Sequence, residues 1–306
     1  MKISICIPVY NGSETIVQLV AEVIDRLGSD LFEIILVNDG SKDNSEFVCT
    51  QLANSNKLVK FISLRKNFGE HNAVMCALNY VAGDCAVIID DDFQNPPDEI
   101  MKLVIEASNG YDVVYSYYEK KKHHWFRNLG SAFNDYVATQ LIGKPRDLYL
   151  SSFKLISRDV VTEIIKYKGP FPYIDGLLLR ATNNIGKVMV NHFSRREGVS
   201  NYTLSKLASL WLNMFINFSI KPLRLFIGFG MLVALLSFIL LVNVVFEKIQ
   251  NPGMPLGWAS TTVLILFFSG VQIVFMGLIG EYIGKSYLDQ NNTPQWVIKN
   301  KINCAE

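Results

Sequence analysis

Two stretches of this 306-residue chain carry no charge and are long enough to cross a lipid bilayer. The first, "LFIGFGMLVALLSFILLVNVVF", occupies 225–246, and the second, "WASTTVLILFFSGVQIVFMGLIG", occupies 258–280. As a helix the first extends roughly 33 Å, against a hydrocarbon core of about 30 Å. Two helices buried in a soluble core are the competing reading, but such helices are usually shorter and apolar on one side only. The link between the stretches is short and rich in Pro and Gly (Pro252, Gly253, Pro255, Gly257), so the pair reads as a transmembrane hairpin. Lys221 and Arg224 precede it, Lys285, Lys299 and Lys301 follow it, and the link offers Lys248 alone. The positive-inside bias then places the N-terminal part and the C-terminal tail together in the cytoplasm, against the inner (plasma) membrane.

Composition agrees with a protein divided between water and lipid: half the residues are apolar and 19% are charged. A net charge of +1 gives no field that would attract nucleic acid. Cys6, Cys49, Cys76, Cys85 and Cys304 show no pairing or metal-ligand spacing, which fits a reducing compartment. The opening "MKISICIPVYNG" is too short and too alternating for a signal peptide.

From residue 1 to about 195 the pattern alternates between strands and helices. "KISICIPVY", "FEIILVND", "VKFISL", "CAVIID" and "YDVVYSY" read as strands. Helices are expected between them, the first with Ile16, Leu19, Val20, Val23, Ile24 and Leu27 on one face and Ser13 as its N-cap. Near-continuous apolar strands alternating with helices predict an α/β domain built on a mostly parallel sheet. The expected organisation is a catalytic domain over 1–200, an amphipathic connector over 201–224, two spans within 225–284 and a cytoplasmic tail over 285–306. The connector and the basic-aromatic cluster at 120–127 both suit a membrane surface; a packed connector helix is the alternative for the former.

Ligands of open α/β sheets bind beyond the carboxyl ends of the strands. Polar clusters sit there: Tyr10-Asn11, Asn38 to Ser41, Arg65 to Asn67, and the run Asp90-Asp91-Asp92. Strand alternation would point Asp90 and Asp92 into one cleft, with Gln94 following. Such a pair suits Mg²⁺ or Mn²⁺ held by one or two carboxylates plus substrate phosphates. The same residues also fit a solvated acidic turn before a Pro-started helix. Asp39 could accept from a base or ribose, or cap a turn. Arg195 could neutralise a phosphate or anchor the chain to anionic lipid, and Arg127 has the same two readings.

The motifs "IPVYNG", "LVNDGSKDNS", "LRKNFGEHNAVMCAL", "DDDFQNPPDEI", "SSFKLISRDVV" and "RREGVSNYTLSKL", then "FSIKPLRL", occur in this order. The chain thereby resembles family 2 glycosyltransferases, most closely the polyisoprenyl-phosphate (undecaprenyl-phosphate) enzymes related to dolichol-phosphate mannose synthase. The resemblance implies a GT-A fold and inverting, metal-dependent transfer from a nucleotide sugar, such as UDP-glucose, to a polyisoprenyl phosphate. It also implies a homo-oligomer. Carried onto this chain, it implies Asp90, Asp92 and Gln94 for metal and diphosphate, with Asp92 catalytic. Pro8, Tyr10, Asn11 and Asp39 would surround the nucleotide, and Arg195 and Ser200 would lie near the phosphates. Two positions depart from the family pattern. Gly12 stands where Glu commonly follows "YN", and Ser152 stands where Asp commonly precedes "F-R-L". Asp147 and Asp175 are the candidates to replace that missing carboxylate. A processive polysaccharide synthase would carry a "QxxRW" motif and more spans, whereas "PQWVIKN" does not match; a nucleotide-sugar-binding scaffold without turnover is the non-enzymatic alternative.

Overall fold

The computed structural model describes residues 1–118, 144–145, 147–191, 193 and 257–304, with scattered positions between 229 and 250. The chain forms two compact units, Met1–Tyr202 with Asn291–Glu306, and Thr203–Gln290.

In the first unit, β1 (Ile3–Val9), β2 (Leu31–Asn38), β3 (Val59–Leu64) and β4 (Cys85–Ile88) are short apolar runs, almost wholly buried. They pair in parallel in the order β4, β1, β2, β3. Helices α1 (Ile16–Leu27), α2 (Ser45–Ser55), α3 (Glu70–Leu78) and α4 (Ile100–Ala107) join or follow them. α1 turns Ile16, Leu19, Val20, Val23 and Leu27 into the core, as its spacing predicts. Ile5, Ile7, Ile34, Leu36, Phe61 and Phe153 are fully buried, each contributing about 1.5–3 kcal/mol.

Ser13 does not cap α1. The helix begins at Ile16 with Thr15 in the N-cap position. A tight turn on the Gly12 carbonyl, which accepts from the N–H groups of Thr15 and Ile16, starts it, and the Ser13 N–H donates instead to Asp43 Oδ2 at 3.1 Å.

The sheet is mixed rather than mostly parallel. β5 (Val113–Tyr117), β6 (Lys154–Ser157), β7 (Ile185–Met189) and β8 (Ile298–Ile302) complete eight strands in the order β7-β5-β6-β4-β1-β2-β3-β8. β6 lies between β4 and β5, antiparallel to both, with Lys154 opposite Ile88 and Tyr115. This reversal brings the residues just before β6 to the carboxyl end of β4. Helices α5 (Arg158–Ile164) and α6 (Ile174–Ala181) connect β6 to β7.

β8 belongs to the stretch expected as a tail. It pairs antiparallel with β3, Phe61 facing Ile302. Asn303 Nδ2 donates to the carbonyls of Ala53 (2.6 Å) and Val59 (2.9 Å), and Lys299 pairs with Glu46 at 2.9 Å.

The second unit contains α7 (Trp258–Gln290), 33 residues long and therefore about 50 Å. Leu264, Ile265, Ile273, Met276 and Ile283 on it are exposed. Counting described residues only, no helix is long and apolar enough to cross a membrane. The spans at 225–246 and 258–280 thus rest on the complete sequence, and most of the first falls outside the described residues.

Candidate active site

β4 stops at Ile88, before the three aspartates, which lie in a turn. The expected strand alternation across Asp90, Asp91, Asp92 and Gln94 therefore does not hold. Phe93 enters the left-handed region with φ 58°, an uncommon state for a bulky residue, and buries its ring in the core. Each carboxylate takes its own direction. Asp90 Oδ2 accepts from Ser152 Oγ at 2.5 Å, Asp91 Oδ2 from the Tyr10 N–H at 3.3 Å, and Asp92 Oδ1 from the Gln94 N–H at 3.0 Å. The Gln94 carbonyl accepts from the Phe193 N–H at 3.0 Å.

The loops after β1 and β2 form one wall. Pro8 lies two residues beyond Cys6, the last β1 residue paired with β4. Cys6 turns its carbonyl to the β4 side, towards the Ile89 N–H, so the N–H that Pro8 lacks falls where no ladder bond is lost. Tyr10 is exposed. Asn11 sits at φ 56°, its N–H on Ser41 Oγ (3.0 Å) and its Oδ1 accepting from the Lys42 N–H (2.9 Å). Asp39 is buried, and its two oxygens accept from the N–H groups of Phe68 (2.7 Å) and Gly69 (2.9 Å). Burial raises its pKa, opposed by those two donors. Asp39 thus holds the loop before α3, and its remaining lone pairs are what a nucleotide could use. Gly40 (φ 62°) leaves room for that loop: a Cβ there would lie 2.4 Å from the Lys66 carbonyl carbon.

The departure at Gly12 has a local cause. A Cβ on Gly12 would lie 2.2 Å from Asp91 Oδ2. The Asp91 carboxylate occupies the space that a side chain at position 12 would enter.

The opposite wall comes from β5, β6, α3 and α6. The buried Lys154 ammonium pairs with Asp175, which also accepts from the Tyr115 hydroxyl at 2.8 Å. Lys154 Nζ lies 4.9 Å from the centre of the Tyr115 ring. Burial first, then the Asp175 carboxylate, raises the Tyr115 pKa well above the usual phenol. Tyr173, just before α6, meets His71 edge to face with ring centroids 5.2 Å apart. Burial lowers the His71 pKa, favouring the neutral imidazole.

Glu70 joins the two halves. It is exposed at the mouth of the cleft yet walled by protein on most sides. That enclosure, then the Asp90 carboxylate, and to a smaller extent Asp175 and Asp92, push its pKa up to about 7, against the pull of Lys154. Asp90, Asp92, Asp175 and Glu70 therefore share one electrostatic neighbourhood. Neither Glu70 nor Lys154 stands out in the sequence; each acquires its meaning from neighbours remote along the chain.

Asp147, one candidate for the missing carboxylate, lies instead at the surface, paired with Lys187. Asp175, the other, is in the cleft. Arg127, Arg195 and Ser200 lie outside the described residues. Among the described residues, no three His, Cys, Asp or Glu side chains form a ready-made cation cage. The donor set of Asp90 and Asp92, with Glu70 close in charge, fits Mg²⁺ or Mn²⁺ only when substrate phosphates complete the shell.

Residues 4–165 match the model for "Glycosyl transferase family 2", and residues 221–286 match that for "GtrB C-terminal hairpin". The chain belongs to glycosyl transferase family 2. It is 34% identical over 310 residues to the undecaprenyl-phosphate 4-deoxy-4-formamido-L-arabinose transferase of Yersinia enterocolitica, covering 100% of this chain and 95% of that one. The Serratia proteamaculans enzyme of the same name is 33% identical, covering 98% and 94%. Among solved structures, glucosyl-3-phosphoglycerate synthase from Mycobacterium tuberculosis with Mn²⁺, UDP-glucose and phosphoglyceric acid superposes with a TM-score of 0.51 at 21% identity, over 68% of this chain and 75% of that one. The same synthase with Mg²⁺ and UDP gives 0.50. These likenesses establish a GT-A-like fold for this family 2 glycosyltransferase, and the hairpin match coincides with the two apolar stretches.

Proposed function

We propose that this glycosyltransferase moves a sugar from a nucleotide sugar to a polyisoprenyl phosphate at the cytoplasmic face of a membrane. The charge neighbourhood that Asp90 and Asp92 share with Glu70 at the carboxyl edge, between the β1/β2 loops and β6, carries the reading. The similarity to undecaprenyl-phosphate transferases along the whole chain, hairpin included, names the acceptor class. The parity of the fold supports the membrane arrangement. β8 is hydrogen-bonded into the same sheet as β1 to β7, so the strands before and after the hairpin belong on one side of any bilayer. The chain between them crosses an even number of times, as two spans require.

In this reading the nucleoside lies along Pro8, Tyr10, Asn11 and Asp39, and the diphosphate reaches Asp90 and Asp92. Mg²⁺ or Mn²⁺ held there would act as a Lewis acid on the departing nucleoside diphosphate. Arg195, Ser200 and Arg127 are the proposed partners of the phosphates. The acceptor phosphate has a second pKa of about 6 and is already largely ionised at pH 7, so Ser152 in place of a carboxylate costs no needed base. It attacks the anomeric carbon in line, with inversion. Asp175 already holds Lys154 and Tyr115; its part is to fix that buried cation beside the carboxylates rather than to take a proton. A homo-oligomer, as the family resemblance implies, completes the proposal.

The donor is proposed as a UDP-sugar, with UDP-glucose and a nucleotide-linked 4-deoxy-4-formamido-L-arabinose as the two donors to separate. The test uses full-length protein in detergent, undecaprenyl phosphate and a panel of nucleotide sugars, with and without Mg²⁺ or Mn²⁺. Metal-dependent formation of an undecaprenyl-phospho-sugar is expected. Nucleotide binding without transfer to any lipid phosphate would defeat the reading and leave a scaffold.

A further inference from the structure

The segment that returns from the hairpin does more than supply β8. Gln295, in "NNTPQWVIKN", is buried. Its Nε2 donates to two carbonyls, Tyr167 at 3.0 Å and Gly169 at 2.6 Å. Both amide protons are thereby used, and both acceptors lie in the non-helical connection between α5 and α6. Gly169 is buried, and a buried carbonyl without a donor is costly, so this amide has a defined task. The connection continues through buried Gly169, Pro170 and Pro172 to Tyr173, whose ring meets His71, and to Asp175, which holds Lys154. His71 adjoins Glu70 at the start of α3. A continuous path of contacts runs from Gln295 to the wall of the acidic cleft.

We propose that Gln295 is a positioning residue: its amide braces the 167–173 connection and so sets Tyr173 and Asp175 against the cleft. The brace is carried by the stretch that re-enters the catalytic unit after the hairpin. The hairpin is therefore an insertion within this unit, and the catalytic wall on the α6 side depends on residues that follow it. The inference rests on the reading of the cleft as the site of sugar transfer.

The test uses the full chain in detergent. Gln295→Met keeps the side-chain length and removes both donors. Amide exchange over 167–178 is expected to speed up about tenfold while that of β1 and β2 is unchanged. The turnover number is expected to fall roughly tenfold with the donor KM within about twofold, because the nucleotide loops lie on the other wall. Lys299→Ala, which breaks an exposed ion pair on the same returning segment, is expected to change neither. Unchanged turnover with faster exchange, or exchange accelerated equally in β1, β2 and β3, would overturn the proposal; the latter marks a merely structural residue. Should Gln295→Met not fold, Gln295→Asn retains the donors, draws them back by one methylene and is read in the same way. If wild-type protein transfers no sugar to any lipid phosphate, the functional reading fails, and the exchange measurement still decides whether the brace exists.

Discussion

Ser152 Oγ donates a 2.5 Å hydrogen bond to Asp90 Oδ2. The residue standing in place of a commonly found carboxylate thus serves a carboxylate, orienting Asp90 at the carboxyl end of β4. Ser152→Ala is expected to lower stability by about 1.5–3 kcal/mol, as for a hydrogen bond to a charged group. Urea unfolding measures it. The metal concentration for half-maximal activity is also expected to rise, because Asp90 loses its fixed rotamer.

Asp92→Asn is expected to reduce metal-dependent transfer by at least about 100-fold, the scale of removing a charge that stabilises a leaving group. Initial rates across a Mn²⁺ titration test this. Undiminished turnover would remove Asp92 from the proposed metal site.

Lys154 and Asp175 form a buried pair. Lys154→Met leaves the carboxylate uncompensated and is expected to cost about 3–5 kcal/mol. Adding Asp175→Leu to Lys154→Met is expected to restore part of that loss while activity stays low. Unfolding free energies of the wild type, Lys154→Met, Asp175→Leu and the double variant give the coupling.

Glu70 supplies a pH signature. Its pKa rises from 4.5 in the unfolded chain to about 7 in the fold, so the native state favours the protonated form. That contribution is fully present below the unfolded value and is lost as the pH rises through about 7. Glu70→Gln imitates the protonated group. It is expected to leave the metal-free Tm unchanged near pH 4 and to raise it by roughly 1–3 °C at pH 8, a modest figure because solvent reaches the group.

Gly12 and Asp91 compete for one space. Gly12→Ala is expected to displace the Asp91 carboxylate and weaken its contact with the Tyr10 N–H, raising the donor KM roughly threefold to tenfold. In an Asp91→Ala background the same change is expected to be nearly silent. Donor saturation curves for the four proteins measure that non-additivity.

The central strands were legible because each is a nearly unbroken apolar run ending in polar residues, from Ile3 to Val9 and from Leu31 to Asn38. The positions of Asp39, Asp90 and Asp92 at strand ends followed from those runs. The roles of the aspartates did not, since the turn around Phe93 ends the alternation. β6 and β8 were hidden for different reasons. "KLIS" is four residues long, too short for a period to show. "IKNKI" is a polar edge strand whose two isoleucines are only half-buried, and little in it separates it from a tail. Glu70 and Lys154 escaped because local sequence says nothing about the charge that distant strands place beside them. Gly12 was visible as an oddity, but only Asp91 explains it.

Pairing of β8 with β3 also has a consequence for biosynthesis. Ribosomes release Ile298 to Ile302 only after the seven other strands and both apolar stretches have been made. The nascent enzyme must therefore wait with one border of its sheet open until its last residues are made.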